Sequence, residues 1–328
     1  MSLAREITYA EAINEALSAA LERDESVFLL GEDIGAYGGA FKVTSGLLQR
    51  FGPERVIDTP ISEAAIVGAA TGASLLGLKP VAEIMYMDFL PISMDQLVTH
   101  AAKLHFMSGG QLKPGFVLRT QYSLGRAHGS QHSEFLPSWF LQAPGLKVVA
   151  PSTPYDAKGL LNSSLKEECP VLFIESAMLY KSKGEVPHGY YEVPLGKAEL
   201  KREGKDVTVV AISRMVQEAI DAAGKLSTRG IELEVVDPMT LQPLDVKTIV
   251  QSVMKTGRLI VAADDMKTGG FGAEVAASVY EHAFEHLKAP LRRVCSPDMP
   301  VPFAPPLEKE YMPSSQKLVE AATSLMEW

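Results

Sequence analysis

Apolar positions in this chain recur in two periods, and the switches between them lay out its elements. Behind Thr8-x-x-Glu11, a capping box, Ile13, Ala16, Leu17, Ala20 and Leu21 follow at helical spacing. Short apolar runs then read as strands: Val27–Leu30, Pro80–Met85, Phe116–Thr120 (buried), Lys147–Ala150 and Val171–Glu175, with Val56-Ile57 leading into the stretch described next. A helix is predicted from Pro91 to about Leu104, and another near Pro154. Strand and helix alternate with short links, which predicts a parallel sheet covered on both faces.

The stretch Asp58–Gly77 organises this half. Ser62 is placed to cap a helix with its hydroxyl, Glu63 falls in the first turn, and Gly77 suits the stop. Ile66, Ala69, Ala70, Ala73 and Leu76 keep helical spacing, while Ala65, Gly68 and Gly72 keep one side small. A buried helix with a carboxylate at its tip is expected. Glu63 then has two readings: an acid complementing the helix dipole, worth about 0.3–1 kcal/mol, or a functional acid held for a ligand.

Ser176–Glu203 is polar, turn-rich and without helical period, and reads as the link between domains. Beyond it, strands are predicted at Val207–Ile212, Leu233–Val236, Arg258–Ala263 and Leu291–Val294. Met215, Val216, Ala219, Ile220, Ala223 and Leu226 share one helical face. Gly269-Gly270-Phe271-Gly272 opens a helix to about Leu287, and a last helix starts at Ser314. The expectation is an α/β protein of two parallel-sheet domains, residues 1–185 and 204–328, with 186–203 as linker.

Composition narrows this little. With 328 residues, 46% hydrophobic and 22% charged, the chain is an ordinary globular one with room for two cores. A net charge of −9 argues against non-specific nucleic-acid binding. Cys169 and Cys295 have neither disulfide nor metal spacing, which suggests a reducing, cytoplasmic compartment. No apolar run reaches the ~20 residues a membrane span needs, and Met1–Tyr9 has no signal-peptide core.

Ligands of open parallel sheets bind at the carboxyl ends of the strands. Glu63, Phe89 and His132 all lie just after predicted strands, so they could converge there. His132 sits in the polar loop Gln121–Glu134 with Arg126 and His128, and is either a surface residue or a proton-transfer group. His128/His132 and His282/His286 have zinc-ligand spacing, but one pair is in a loop and the other lacks a third ligand, so zinc is not expected. Gly269–Gly272 is read as a tight turn rather than a phosphate cradle. Gly-x-Ser-x-Gly, Walker and Gly-Asp-Gly motifs are absent.

Several segments together carry a resemblance: LLGEDIG (Leu29–Gly35), FGPERVIDTPISE (Phe51–Glu63), KLHFMSGGQ (Lys103–Gln111), QHSEF (Gln131–Phe135), APGLKVVAPSTPYDAKGLL (Ala143–Leu161), EVPLGKAELKREGKDVTVV (Glu192–Val210), LQPLD (Leu241–Asp245), KTGRLIV (Lys255–Val261) and GGFGAEVAA (Gly269–Ala277). From about Arg5 to Ala322 the chain resembles the beta subunit of the thiamin-diphosphate-dependent 2-oxoacid dehydrogenases (pyruvate, branched-chain 2-oxoacid and acetoin dehydrogenase). The resemblance implies a thiamin-diphosphate pyrimidine-binding domain followed by a transketolase-like domain, in an alpha2beta2 tetramer with a second beta chain. The alpha subunit would hold magnesium and the diphosphate, and a lipoyl acyltransferase core would take the acyl group from oxidative decarboxylation of a 2-oxo acid. That division fits the missing Gly-Asp-Gly motif.

By the same resemblance Glu63 hydrogen-bonds the pyrimidine ring nitrogen, Phe89 packs on that ring with Met85 beside it, and His132 handles protons and acyl transfer. Segments near Phe116, Ser164, Glu167 and Cys169 fall where some relatives hold a structural potassium ion. Ile212-Ser213, Asp237-Pro238-Met239 and Asp264-Asp265 depart from the family pattern, all in the C-terminal domain. An acetoin dehydrogenase beta subunit, half of a split transketolase acting on sugar phosphates, and a non-catalytic assembly subunit are the alternative readings.

Overall fold

The computed structural model describes residues 5–328; the part of the leader expectation that falls on residues 1–4 lies outside them. Contacts divide the chain into two compact units. One comprises the described residues up to Ser123 together with Trp139–Leu195, the other Leu124–Ser138 with Gly196–Trp328. The break at Leu195 falls inside the expected linker. The loop Leu124–Ser138, expected in the N-terminal domain, goes with the second unit instead.

The strands in chain order are β1 (Arg5–Thr8), β2 (Val27–Gly31), β3 (Val56–Asp58), β4 (Lys79–Ile84), β5 (Val117–Tyr122), β6 (Lys147–Val149), β7 (Val171–Ser176) and β8 (Lys183–Val186). Then come β9 (Glu199–Arg202), β10 (Val207–Ala211), β11 (Leu233–Asp237), β12 (Thr240–Gln242), β13 (Leu259–Met266) and β14 (Arg292–Ser296). In the first unit β6-β7-β5-β4-β2-β3 form one sheet, parallel throughout. Its central strands β5 and β7 are buried at every position, as near-continuous apolar runs require. β1 and β8 pair antiparallel beside it.

The second unit's sheet runs β14-β13-β10-β11-β9. It is parallel except for its edge, where β9 pairs antiparallel with β11. Thus the stretch read as a bare linker carries β8 and β9. Both are short, polar edge strands whose alternation is too weak to announce them.

Capping is written plainly in most helices. Thr8 Oγ1 accepts from Glu11 N at 3.2 Å while Glu11 accepts from Thr8 N at 2.7 Å, opening the helix Tyr9–Arg23. Its buried face is Ala12, Ile13, Ala16, Leu17 and Leu21. The segment after β4 differs from the expected α-helix. It is a 3-10 turn over Met87–Ser93, a π-helical stretch over Asp95–Ala101 and an α-helix only over Ala102–Met107. Pro91 lies inside the 3-10 turn, where it lacks the N–H of a regular ladder. In the second unit the face Met215, Val216, Ala219, Ala223 and Leu226 packs with Val209, Val235 and Leu318 into one core.

Candidate functional site

The helix Glu63–Leu75 starts just beyond the carboxyl end of β3 and packs against β4 and the 3-10 turn that carries Phe89. Its stop is as expected: Gly77 has φ +87°, and the Gly77 and Leu78 N–H groups donate to Ser74 and Ala73 carbonyls. Its start is not. Ser62 occupies the N-cap position, but with ψ 80° against 159–165° at Thr8, Thr153 and Ser314, and its hydroxyl makes no cap bond. Glu63 is therefore the polar group at an otherwise uncapped helix tip, and it is half-buried.

A second correction concerns burial. Ile66, Val67, Ala70 and Thr71 face the protein, but Ala65, Ala69, Gly72 and Leu76 are exposed, Leu76 by 85%. The helix is apolar all round, yet this chain covers only one side of it. Such a helix is stable when something covers the rest.

Glu32, which the sequence reading passed over, faces the same tip. Burial, then Asp33 and then Glu63, push its carboxyl up. Asp58 accepts from Gly35 N at 2.6 Å and Ala36 N at 3.1 Å, fixing the glycine loop after β2. A Cβ on Gly35 would meet the Asp58 carboxylate at 2.6 Å, so only glycine admits this contact. Two buried oxygens without protein partners flank the helix: Thr59 Oγ1, four residues before Glu63, and Gln96 Oε1, whose side chain lies 3.5 Å from the Cβ site of Gly68. Orphaned polar atoms and a carboxylate on a helix packed against an aromatic-bearing turn suit a heteroaromatic ligand.

Met85 and Phe89 are both half-buried. The Phe89 ring packs edge-on against Tyr86 at 5.6 Å, and Tyr86 against Phe41 at 5.9 Å. Gln121, buried, donates to the Met85 carbonyl at 2.9 Å and accepts from Ser123 at 2.8 Å, which holds this segment to the sheet. Below lies a buried charge cluster: Arg119 forks onto Glu175 at 2.7 and 2.9 Å, reaches Glu83 at 2.5 Å, and Tyr180 donates to Glu175 at 2.8 Å.

Glu63, Met85 and Phe89 all lie in the first unit, Phe89 on a 3-10 turn that packs against the Glu63–Leu75 helix, while His132 belongs to the second. His132 is half-buried, and its N–H points to the Gly129 carbonyl at 3.4 Å. Burial, then Arg126 and His132, hold His128 below the usual histidine range, against an opposing pull from Glu308.

At the segments proposed for potassium, Gly115 backs onto the Glu167 carbonyl so closely that a Cβ would overlap it. Phe116 O accepts from Val171 N at 2.9 Å and Ser164 O from Glu167 N at 3.2 Å. The Glu167 carboxylate already pairs with Lys147 at 2.5 Å, and burial pushes the Cys169 thiol up. Among the described residues no three His, Cys, Asp or Glu side chains are grouped to hold a metal. No helix among them is long and apolar enough to cross a membrane. His282 Nδ1 meets its own helix at Ser278 O, 2.8 Å away.

The turn Gly269–Gly272 closes on itself. Gly270 caps the helix Phe271–Ala283, Phe271 N donates to Asp265 at 2.6 Å, and a Gly270 Cβ would overlap the Met266 carbonyl.

Comparison with known proteins gives the same two-part division, except that the family match keeps the loop Leu124–Ser138 with the N-terminal part. Residues 5–183 match the transketolase pyrimidine binding domain and residues 196–318 the transketolase C-terminal domain. The acetoin:2,6-dichlorophenolindophenol oxidoreductase subunit beta of Bacillus subtilis is 44% identical, over 99% of this chain and 98% of its own. The 2-oxoisovalerate dehydrogenase subunit beta of the same organism is 43% identical over 98% and 99%. The mitochondrial pyruvate dehydrogenase E1 component subunit beta of Dictyostelium discoideum is 42% identical over 97% and 90%. Among solved structures, a split-gene transketolase described as an inactive beta4 tetramer superposes with a TM-score of 0.78 at 22% identity, over 100% of this chain and 99% of that one, a likeness of fold.

Proposed function

Because this chain belongs to the family of beta subunits of the pyruvate, 2-oxoisovalerate and acetoin dehydrogenases, we propose that it supplies the pyrimidine half of a thiamin diphosphate site, with Glu63 as its acid. One observation carries this reading: Glu63 is a half-buried carboxylate on an uncapped helix tip, on a helix that packs against the turn carrying Phe89 and whose outer apolar face is left exposed. When bound, thiamin diphosphate supplies the nucleophilic carbon and electron sink needed to cleave a 2-oxo acid. This chain's task is to hold it.

Glu63 holds a proton between its carboxyl and a pyrimidine nitrogen, and its helix fixes where that proton sits. Phe89 and Met85 offer an apolar seat for the ring and keep water from it. His132 moves a proton during acyl transfer to a lipoyl group. The face Ala65, Ala69, Gly72 and Leu76 suits close approach of another chain, and the alpha subunit is the partner we assign to it. The alpha subunit would also carry magnesium and the diphosphate site, in an alpha2beta2 complex with a second beta chain, served by a lipoyl acyltransferase core in the cytoplasm. A structural potassium ion would be held largely by carbonyls of the segments near Phe116, Ser164, Glu167 and Cys169.

The test is co-expression with the alpha partner, followed by thiamin-diphosphate-dependent reduction of an artificial electron acceptor with pyruvate, branched-chain 2-oxo acids or acetoin. Turnover of one substrate by the mixture alone is expected. Glu63→Gln should lower it at least ~100-fold and weaken cofactor binding by calorimetry while leaving assembly intact. An assembled complex that turns over none of them, or a fully active Glu63→Gln, defeats the reading.

A further inference from the structure

The loop that carries His128 and His132 is held by a carboxylate that lies about 180 residues away in sequence. Glu308, in the first turn of the helix Pro305–Tyr311, is only 3% exposed. Its two oxygens accept from alternate amides of the loop, Oε1 from Gly125 N at 2.9 Å and Oε2 from Ala127 N at 2.8 Å. Those amides converge because the loop turns through the left-handed region three times in five residues: Gly125 at φ +92°, Ala127 at +56° and Gly129 at +75°. Backbone so curled forms a concavity lined by N–H groups, which takes an anion. Here the protein fills it with its own glutamate.

Two further contacts pin the same loop to the segment leading into Glu308. Ser130 Oγ donates to the Val301 carbonyl at 2.8 Å. Phe303 lies over Gly129, where a Cβ would meet its ring at 3.1 Å. Ala127 is the instructive position, since a non-glycine residue at positive φ persists only where surrounding contacts over-determine it. His128 sits between the Ala127 contact and the Gly129 contact.

We propose that Glu308 is a positioning residue for the histidine loop, presetting where His132 stands for proton and acyl transfer. The inference rests on the functional reading of His132 above. It assigns the C-terminal segment Val301–Glu308 a part in that chemistry, not only in folding. Of the charged groups that act on His128, Arg126 and His132 disfavour its protonated form and Glu308 favours it.

The experiment follows the histidine ring protons by NMR in the folded chain with and without the alpha subunit, for wild type, Glu308→Gln and Glu308→Asp. Glu308→Gln keeps one acceptor and removes the charge; Glu308→Asp keeps the charge but is one methylene too short for both amides. With Glu308→Gln the His128 titration is expected to move to lower pH, and the Gly125 and Ala127 amides to exchange at least tenfold faster. In the assembled complex, lipoyl acylation should fall tenfold or more with cofactor affinity unchanged. Glu308→Asp should spare the His128 titration yet share the loss of amide protection and rate, and it serves if Glu308→Gln does not fold. Unmoved histidine resonances and unchanged exchange of the Gly125 and Ala127 amides in both variants would overturn the clamp. An altered titration and exchange with unaltered acylation would overturn its functional part. The NMR arms do not depend on turnover, so failure of the thiamin reading, seen with Glu63→Gln, is told apart from failure of this one.

Discussion

Each unit of this protein starts a helix beyond the carboxyl end of a parallel strand, and the two starts are finished differently. In the second unit Asp265 folds back onto Phe271 N and closes the tip with its own carboxylate. In the first, Ser62 leaves the tip uncapped and Glu63 stands there half-buried. The orphan N–H groups of a helix start need a partner. Where the chain supplies one locally, the tip is closed; where it does not, the tip is left open to a partner from outside. Similar topology gives a closed tip in one unit and, on the reading proposed above, a binding tip in the other.

The interior beneath the open tip offers the largest expected effect. Arg119→Met would leave Glu83 and Glu175 facing each other without a cation in the first unit's sheet. A loss of about 3–5 kcal/mol is expected, read from the denaturant midpoint. A change below 1 kcal/mol would mean that water reaches this cluster and that the first unit is as open below the site as at it.

Asp265 tests the closed tip. Burial, opposed by the Phe271 N–H and reinforced by Asp264, raises its carboxyl to about 7 from an ordinary 3.8. The folded state therefore binds more protons than the unfolded state between about pH 4 and 7. Stability from this group is complete below about 4 and lost as pH rises through about 7. Asp265→Asn should flatten the melting temperature against pH across that window and be no less stable than wild type at pH 8. An unchanged slope would show that Asp265 is ionised throughout and that its Oδ1, which has no protein partner, is satisfied by solvent.

The smallest effects compare the caps directly. Asp245 accepts from Thr248 N at 3.2 Å and Ala198 N at 3.2 Å, so Asp245→Ala should cost ~1–2 kcal/mol. Ser62→Ala should cost only a few tenths, because its hydroxyl caps nothing. If thermal unfolding shows equal losses, Ser62 caps its helix after all and the contrast between the two tips disappears.

Much of the frame was legible. Thr8-x-x-Glu11, the strand runs from Val27 to Val294 and the stop at Gly77 appear where periodicity and capping residues place them, because these signals act over one or two turns. Glu63 was singled out by its place at a helix start, while Met85 and Phe89 were assigned only by the family resemblance. The polar edge strands β8 and β9 escaped, since an edge strand has one neighbour and needs little apolar alternation. So did the 3-10 and π-helical run after β4, where packing against the Glu63–Leu75 helix overrides a helical pattern.

Local order in this protein follows from its sequence because apolar spacing and capping chemistry are decided among residues a few positions apart. Which carboxylates are spent on the protein itself and which remain for chemistry is decided only by the fold. Glu308 meets Gly125 and Ala127, Glu175 meets Arg119, and Asp265 meets Phe271, while Glu63 meets no such partner amide in its own unit. The exposed face of the Glu63 helix is likewise invisible in its apolar composition. A sequence records that a surface is apolar, but burial is a property of what the rest of the chain leaves uncovered.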